Sequence, residues 1–98
     1  MKYFFHPFAE KELLESISYY DACQEGLGLE FSREVYFAIQ NILSFPKAWS
    51  SLSTHTRRCL TNRFPYGVIY QIANTEIYII AIMQLNQKPN YWKSRKIK

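Results

Sequence analysis

Apolar residues in the first half of the chain recur at the spacing of two amphipathic helices. Over residues 8–24 they stand three or four positions apart, which predicts a first helix. The same spacing predicts a second helix over residues 31–42. This helix ends before Pro46, because the residue that precedes a proline avoids helical backbone angles. Gly26 and Gly28 interrupt the pattern, so we expect a short connection and an antiparallel helical hairpin.

The remaining apolar runs have the composition of β-strands. Residues 3–5 form a short aromatic run, and three further candidates cover residues 58–64, 68–73 and 77–85. Residues 74–75 (Asn-Thr) have the right length for a tight hairpin turn between the last two strands.

Nearly every position of residues 77–83 is apolar, which is typical of a central strand covered on both faces. Residues 48–56 are polar and without period, which predicts a loop. We therefore predict an α+β fold of order β-α-α-β-β-β, with the helical hairpin packed on a small, mostly antiparallel sheet. The 98 residues have the length of one domain, and residues 89–98 form a basic C-terminal tail.

Charge is distributed unevenly along the chain. Residues 1–45 carry three basic and seven acidic residues, a net charge of −4, whereas residues 46–98 carry nine basic residues against one acid, a net charge of +8. This asymmetry predicts that the C-terminal half binds a nucleic acid or an acidic protein segment. The acids on the helices, such as Glu10, Glu12 and Glu15, are predicted to face solvent.

Several classes of protein are disfavoured by the composition. No N-terminal apolar run has the length of a signal peptide or a membrane span, so we expect a cytoplasmic protein. Cys23 and Cys59 lack metal-type spacing, and His6 and His55 lack a partner at ligand spacing, so we expect no metal and no cofactor. No paired acid and base is evident, which favours binding over catalysis.

The candidate site is a set of cations interleaved with aromatic residues in the C-terminal half. Guanidinium groups grip phosphate or carboxylate, and aromatic rings can stack on bases. The tail is expected to present its large and charged side chains to a partner, since nothing in the pattern requires them in a core. A packing role remains the alternative, especially for Tyr70 and Trp92. The candidate residues are Arg57, Arg58, Arg63, Tyr66, Lys88, Tyr91, Trp92, Lys93 and Arg95.

Short motifs along nearly the whole chain resemble the ParE/RelE superfamily of toxins from type II toxin-antitoxin (plasmid stabilisation) modules. Each motif is weak by itself, but their order and spacing together are specific. They are Glu12-Leu13, Tyr19-Tyr20, Gly26-Leu27-Gly28, Phe31, Ile42 with Pro46, Arg57-Arg58, the run from Phe64 to Tyr70, Ala81-Ile82-Met83, and Pro89-Asn90-Tyr91-Trp92 with Arg95.

The resemblance implies a growth-inhibiting toxin that a cognate antitoxin wraps and neutralises in a hetero-oligomer. Two activities dominate in the superfamily: the ParE-like branch inhibits DNA gyrase by binding, and the RelE-like branch cleaves mRNA on the ribosome. In the RelE-like reading, the residues implied here are Arg57, Arg58, Arg63 and Tyr91.

Two departures from the superfamily pattern favour the ParE-like branch. Relatives usually carry a histidine and an arginine after the Ala-x-Met strand, where this chain has Gln84 and Gln87. The RelE-like branch also has an arginine where this chain has Gly67-Val68. Glutamine neither exchanges a proton readily nor stabilises a phosphorane, so we expect a gyrase-binding toxin. An mRNA endonuclease and an inactive, antitoxin-binding remnant are the alternatives.

Overall fold

Two helices pack on a five-stranded sheet in a computed structural model that describes residues 1–95. In chain order the elements are β1 (Lys2–Phe5), α1 (Pro7–Cys23), α2 (Leu27–Ser44), β2 (Ser50–Ser51), β3 (Thr56–Leu60), β4 (Tyr66–Ala73) and β5 (Glu76–Gln84). The strand order is β1-β5-β4-β3-β2, with β1 parallel to β5 and all other pairs antiparallel. The predicted α+β class, with its helical hairpin and mostly antiparallel sheet, is confirmed.

Two details of the predicted sheet are wrong. The strand predicted over residues 58–64 begins earlier and ends at Leu60, because the hydroxyl of Thr61 donates to the carbonyl of Phe64 (2.6 Å) and closes a turn there. The predicted loop contains β2, whose two serines pair with Arg57 and Arg58. Both serines are exposed, so no apolar period could have revealed this strand.

The helices begin where the sequence supplies acceptors for free backbone N–H groups. His6 Nδ1 accepts from the N–H of Phe8 (3.1 Å), and Pro7 occupies the first turn of α1. Gly26 precedes α2 in the left-handed region (φ 88°), where an asparagine or glycine is favoured. A carboxylate oxygen of Asp21 accepts from the N–H groups of Gly26 (3.0 Å) and Gly28 (3.3 Å), so α1 caps α2.

Replacing Gly28 by alanine is expected to destabilise the hairpin. A Cβ at this buried position would lie 2.5 Å from the backbone carbonyl oxygen of Ile17, so the helices would have to separate. Alanine is the better helix former by about 1 kcal/mol, but overpacking costs about 1–3 kcal/mol. We expect a lower midpoint in urea unfolding for Gly28→Ala than for Arg33→Ala, an exposed control on the same helix. An unchanged or higher midpoint would show that the helix contact is loose.

The sheet is covered on both faces. The helices pack on one face, where Phe31, Val35 and Ile42 meet residues of β4 and β5 such as Val68 and Ile82. We call the opposite side the second face. Its apolar cluster contains Ile69, Ile80, Ala81, Met83 and Trp92. Strand β5 is therefore apolar at nearly every position because it lies between β1 and β4 and is covered on both sides, as predicted.

Neither α1 nor α2 has the length and apolar character that a membrane-crossing helix requires.

Candidate functional site

The C-terminal segment is fastened to α1 and β5 by three side chains, Glu12, Tyr91 and Arg95, which we call the C-terminal clasp. Arg95 forms a bidentate pair with Glu12, with both N···O distances at 2.9 Å, and the hydroxyl of Tyr91 donates to Glu12 (2.7 Å). Only 11% of the Arg95 side chain and 19% of the Glu12 side chain are exposed. Paired, planar contacts of this kind fix both orientation and distance.

The clasp takes the place of a missing strand. Pairing of β1 with β5 ends at Ile79, since the chain then turns into α1 at Pro7. Beyond this point the N–H of Ile82 donates to Glu12 (3.0 Å), and Arg95 donates to the carbonyl oxygen of Ile80 (2.9 Å). The ion pair thus satisfies backbone groups that an edge would otherwise leave open.

The clasp corrects two expectations about charge and packing. Glu12 does not face solvent as predicted, because its carboxylate accepts hydrogen bonds from β5 and from the C-terminal segment. Trp92, which is 4% exposed, has the packing role predicted as its alternative, whereas the expectation that the tail has no packing role is wrong for Arg95. Lys93 is exposed, and residues 96–98 of the predicted tail lie outside the described residues.

Tyr91 acts as a hydrogen-bond donor in the clasp. Burial raises the pKa of Tyr91, and the hydrogen bond to the Glu12 carboxylate raises it further. Burial lowers the pKa of Arg95, but the Glu12 carboxylate outweighs this effect and the net pKa is raised. Neither group can exchange a proton near neutral pH, so their observed role is structural.

Arg63 also has carboxylate partners within the chain. Its guanidinium pairs with Glu30 and, at 3.4 Å, with Glu34. One oxygen of Glu34 accepts from the backbone N–H groups of Asn62 (2.9 Å) and Arg63 (2.8 Å). These contacts hold the loop after β3 against α2. The Arg63 side chain is 58% exposed, so the pairs contribute little to stability and leave part of the guanidinium accessible.

Arg57 and Arg58 lie on opposite sides of the sheet, since neighbouring strand residues alternate. Arg57 is opposite Tyr70, a member of the helix-side core, and donates to the carbonyl oxygen of Trp49 (2.8 Å). Arg58 is opposite Ile69, a member of the second-face cluster. The sequence shows two adjacent arginines, but the fold assigns them to different surfaces.

Arg58 and Trp92 carry buried donors without an acceptor. Among residues 1–95, the Nε of Arg58 and the Nε1 of Trp92 have no hydrogen-bond partner. The Arg58 side chain lies across Gly67, where an added Cβ would be 2.9 Å from its Cδ. An unsatisfied buried donor costs about 1–3 kcal/mol. The second face therefore contains two unsatisfied donors, both of which are buried.

An open groove contains Gln84 and Gln87, at the end of β5. Its volume is about 420 Å³, and its other polar walls include Glu12, Glu15 and Tyr20. The side-chain oxygen of Gln87 accepts from the N–H of Gln84 (3.2 Å). Among the described residues, two carboxylates and no cation line this groove, so it is unsuited to a phosphate.

Tyrosines near the groove also lack the properties of general acids or bases. Burial raises the pKa of Tyr20 to about 12, with a further contribution from its hydrogen bond to Tyr66. Tyr66 is buried and packs edge-on against Phe31 and Tyr20 in an aromatic cluster. Tyr66 was predicted to belong to a binding surface, but only a small part of its side chain is accessible, where it borders the groove.

The possible metal ligands and the two cysteines of the described residues do not form a reactive site. No group of three or more histidine, cysteine, aspartate or glutamate side chains within residues 1–95 could hold a metal ion. Burial raises the pKa of Cys59 to about 11, which leaves it a poor nucleophile, and Cys23 is exposed.

Comparison with solved structures shows a shared fold. No protein-family model and no curated protein matches this sequence. A chain of the chromosomal ParDE TA system from P. aeruginosa superposes with a TM-score of 0.76, covering 88% of this chain and 97% of that chain. The two sequences are 16% identical over the match, so the comparison shows a common fold and nothing finer.

Proposed function

We propose that this chain is the toxin component of a type II toxin-antitoxin system, that it acts on DNA gyrase by binding, and that a cognate antitoxin neutralises it. The observation that carries the proposal is the fold shared with a chain of a ParDE TA system across nearly the whole length of both chains. The residues that resemble ParE/RelE motifs are spread along this fold, from α1 to the C-terminal clasp.

Binding is favoured over RNA cleavage by the groove at the end of β5. Gln84 and Gln87 stand there with Glu12 and Glu15, and no cation among the described residues lines it. A developing phosphorane needs positive charge or strong donors, and the carboxylates would repel it. Tyr91 and Arg63, two of the residues implied for a nuclease, are engaged with carboxylates of α1 and α2.

The second face is the antitoxin surface in this proposal. It combines the guanidinium of Arg58 with the orphan N–H of Trp92, and Lys93 stands exposed beside Trp92 in sequence. The two unpaired nitrogens are themselves buried, so the carboxylates of an acidic segment would pair with the rest of the Arg58 guanidinium and with the Lys93 ammonium. The +8 charge of residues 46–98 would attract such a segment over a longer range.

Expression of the chain without antitoxin tests the target. We expect growth arrest with early damage to the chromosome while mRNA remains intact. Cuts in mRNA at ribosomal positions would instead identify a nuclease and overturn the binding mechanism. Normal growth with a well-folded, abundant protein would identify an inactive remnant. The Ile79→Asp variant, which is expected not to fold, is the control for toxicity unrelated to the native structure.

Charge reversal of Arg58 is expected to weaken the antitoxin complex. The substitution removes the guanidinium whose side chain lies across Gly67 and places a carboxylate where acceptors must bind. Truncating one partner of a desolvated charge pair costs about 2–5 kcal/mol, so we expect the Kd for the cognate antitoxin to rise by at least about tenfold. The remaining affinity should depend less on salt. Calorimetry at low and high salt measures both effects.

Arg33→Glu is the matched control for Arg58→Glu. It makes the same charge change at an exposed position of α2, in the helical layer. A Kd that rises equally in both variants would indicate long-range charge alone. An unchanged Kd for a folded Arg58→Glu protein at both salt concentrations would exclude Arg58 from the antitoxin interface.

A further inference from the structure

We propose that a pocket beyond the C-terminal end of α2 binds a phosphate group. The pocket has a volume of about 230 Å³ and is lined by Lys47, Thr54, His55, Arg57 and Ile72. Lys47 follows α2, Thr54 and His55 form the turn between β2 and β3, and Arg57 belongs to β3. This site is on the helix side of the sheet, so it is separate from the second face and does not rest on the function proposed above.

Arg57 is a partly desolvated cation that lacks a counter-ion. Its side chain is half-buried, and within residues 1–95 it forms no ion pair, whereas the carboxylates of α1 and α2 pair with Arg95 and Arg63. Its only described hydrogen bond runs from Nη1 to the carbonyl oxygen of Trp49. A guanidinium has five N–H donors, so most of its capacity is free. Withdrawing a charge from water is unfavourable unless an opposite charge compensates.

The pocket walls are held in place by hydrogen bonds that do not involve a ligand. The hydroxyl of Tyr70 donates to the carbonyl of Pro46 (2.6 Å), which fixes the backbone before Lys47. The indole of Trp49 donates to the carbonyl of Asn41 at the end of α2 (3.2 Å). The carbonyl of Thr56 accepts from the N–H of Leu52 (2.8 Å), which closes the turn that carries Thr54 and His55. The backbone that carries the pocket's donors is therefore positioned before a ligand binds.

The chemistry of the walls favours a tetrahedral oxyanion such as phosphate over a planar carboxylate. An ammonium, a guanidinium, an imidazole and a hydroxyl approach from three segments of the chain, and no carboxylate within residues 1–95 lines the pocket. Donors that arrive from several directions suit a tetrahedral anion, whereas a planar carboxylate is best held by one guanidinium fork. The phosphate can come from inorganic phosphate or from a phosphate ester such as a nucleotide.

Titration with inorganic phosphate, followed by ¹H–¹⁵N NMR at constant ionic strength, tests the site. We expect saturable shifts at Lys47, Thr54, His55 and Arg57 with a Kd of about 1 mM, as is typical of a small ligand held by a few polar contacts. Arg57→Gln and Lys47→Gln should each raise the Kd by at least about tenfold. Lys47 is exposed and has no described side-chain contact, so its variant keeps the test valid if Arg57→Gln perturbs the loop.

Comparing ligands distinguishes the sources of the phosphate. Adenosine 5′-monophosphate binding at least about tenfold more tightly than inorganic phosphate would assign the site to phosphate esters. Equal affinity would assign it to the phosphate group alone. Arg33→Gln, on α2, should leave both titrations unchanged. The proposal is overturned if the shifts do not saturate, if they persist in both pocket variants, or if only a glutamate-rich peptide binds there.

Discussion

Replacing Ile79 by aspartate is expected to prevent folding. Ile79 is fully buried, pairs with Phe5 of β1 and Tyr70 of β4, and belongs to the core beneath the helices. Losing a large aliphatic side chain in a core costs about 2–5 kcal/mol, and an unpaired buried carboxylate costs several kcal/mol more. Small domains have a total stability of about 5–15 kcal/mol, so this change removes most or all of it.

The comparison for Ile79→Asp is Ile79→Val, which keeps the site apolar and should cost about 0.5–1.5 kcal/mol. Circular dichroism melting and the dispersion of amide NMR signals report the outcome. We expect a cooperative transition for the valine variant and none for the aspartate variant. A cooperative melt of Ile79→Asp near the wild-type temperature would mean that Ile79 does not lie in the core.

Replacing Glu12 by alanine is expected to have the next largest effect, because it opens the C-terminal clasp. The change removes both bonds to Arg95, the bond from Tyr91 and the cap on the N–H of Ile82. Arg95 would be left as a mostly buried cation without a partner. Breaking a buried ion pair in this way costs about 3–5 kcal/mol, far more than the loss of a surface pair.

Urea unfolding of three variants separates the causes of the Glu12 effect. Glu12→Gln lacks the charge but keeps one acceptor oxygen, which can serve either Tyr91 or Ile82, so it should lose less stability than Glu12→Ala. Glu15→Ala, one turn away in the same acidic stretch and exposed, should change stability by no more than about 0.5 kcal/mol. In the double variant Glu12→Leu/Arg95→Met, part of the loss should be recovered, since no unpaired charge remains. Equal stability of Glu12→Ala and Glu15→Ala would mean that the clasp contributes nothing.

The clasp also changes how the tail is to be tested for binding. Removing Arg95 would destabilise the chain, so a loss of toxicity in an Arg95 variant would not identify a binding residue. Lys93 is exposed and suits that purpose. Arg57 and Arg58 should be replaced one at a time, because a double substitution alters both faces of the sheet at once.

Local patterns were sufficient to predict both helices and four of the five strands of this fold. The helical spacing of apolar residues marked α1 and α2, and the nearly continuous apolar run marked β5 as the strand covered on both faces. These predictions succeed because burial imposes a period on the sequence. The same reasoning failed for β2, where two exposed serines form a strand only because β3 lies beside them.

Contacts between distant residues were not predictable from such patterns. Glu12 and Arg95 are 83 positions apart, and each taken alone looks like an ordinary solvated charge. The sequence by itself determined the helical hairpin, the strand β5 that is covered on both faces, and the separation of charge between the two halves. Only the tertiary structure decided that Arg95 pairs with Glu12 and that Arg57 and Arg58 lie on different surfaces. It also decided that two carboxylates line the groove that contains Gln84 and Gln87. The reason is that a charge acquires its role from its neighbours in space, and those neighbours come from distant parts of the chain.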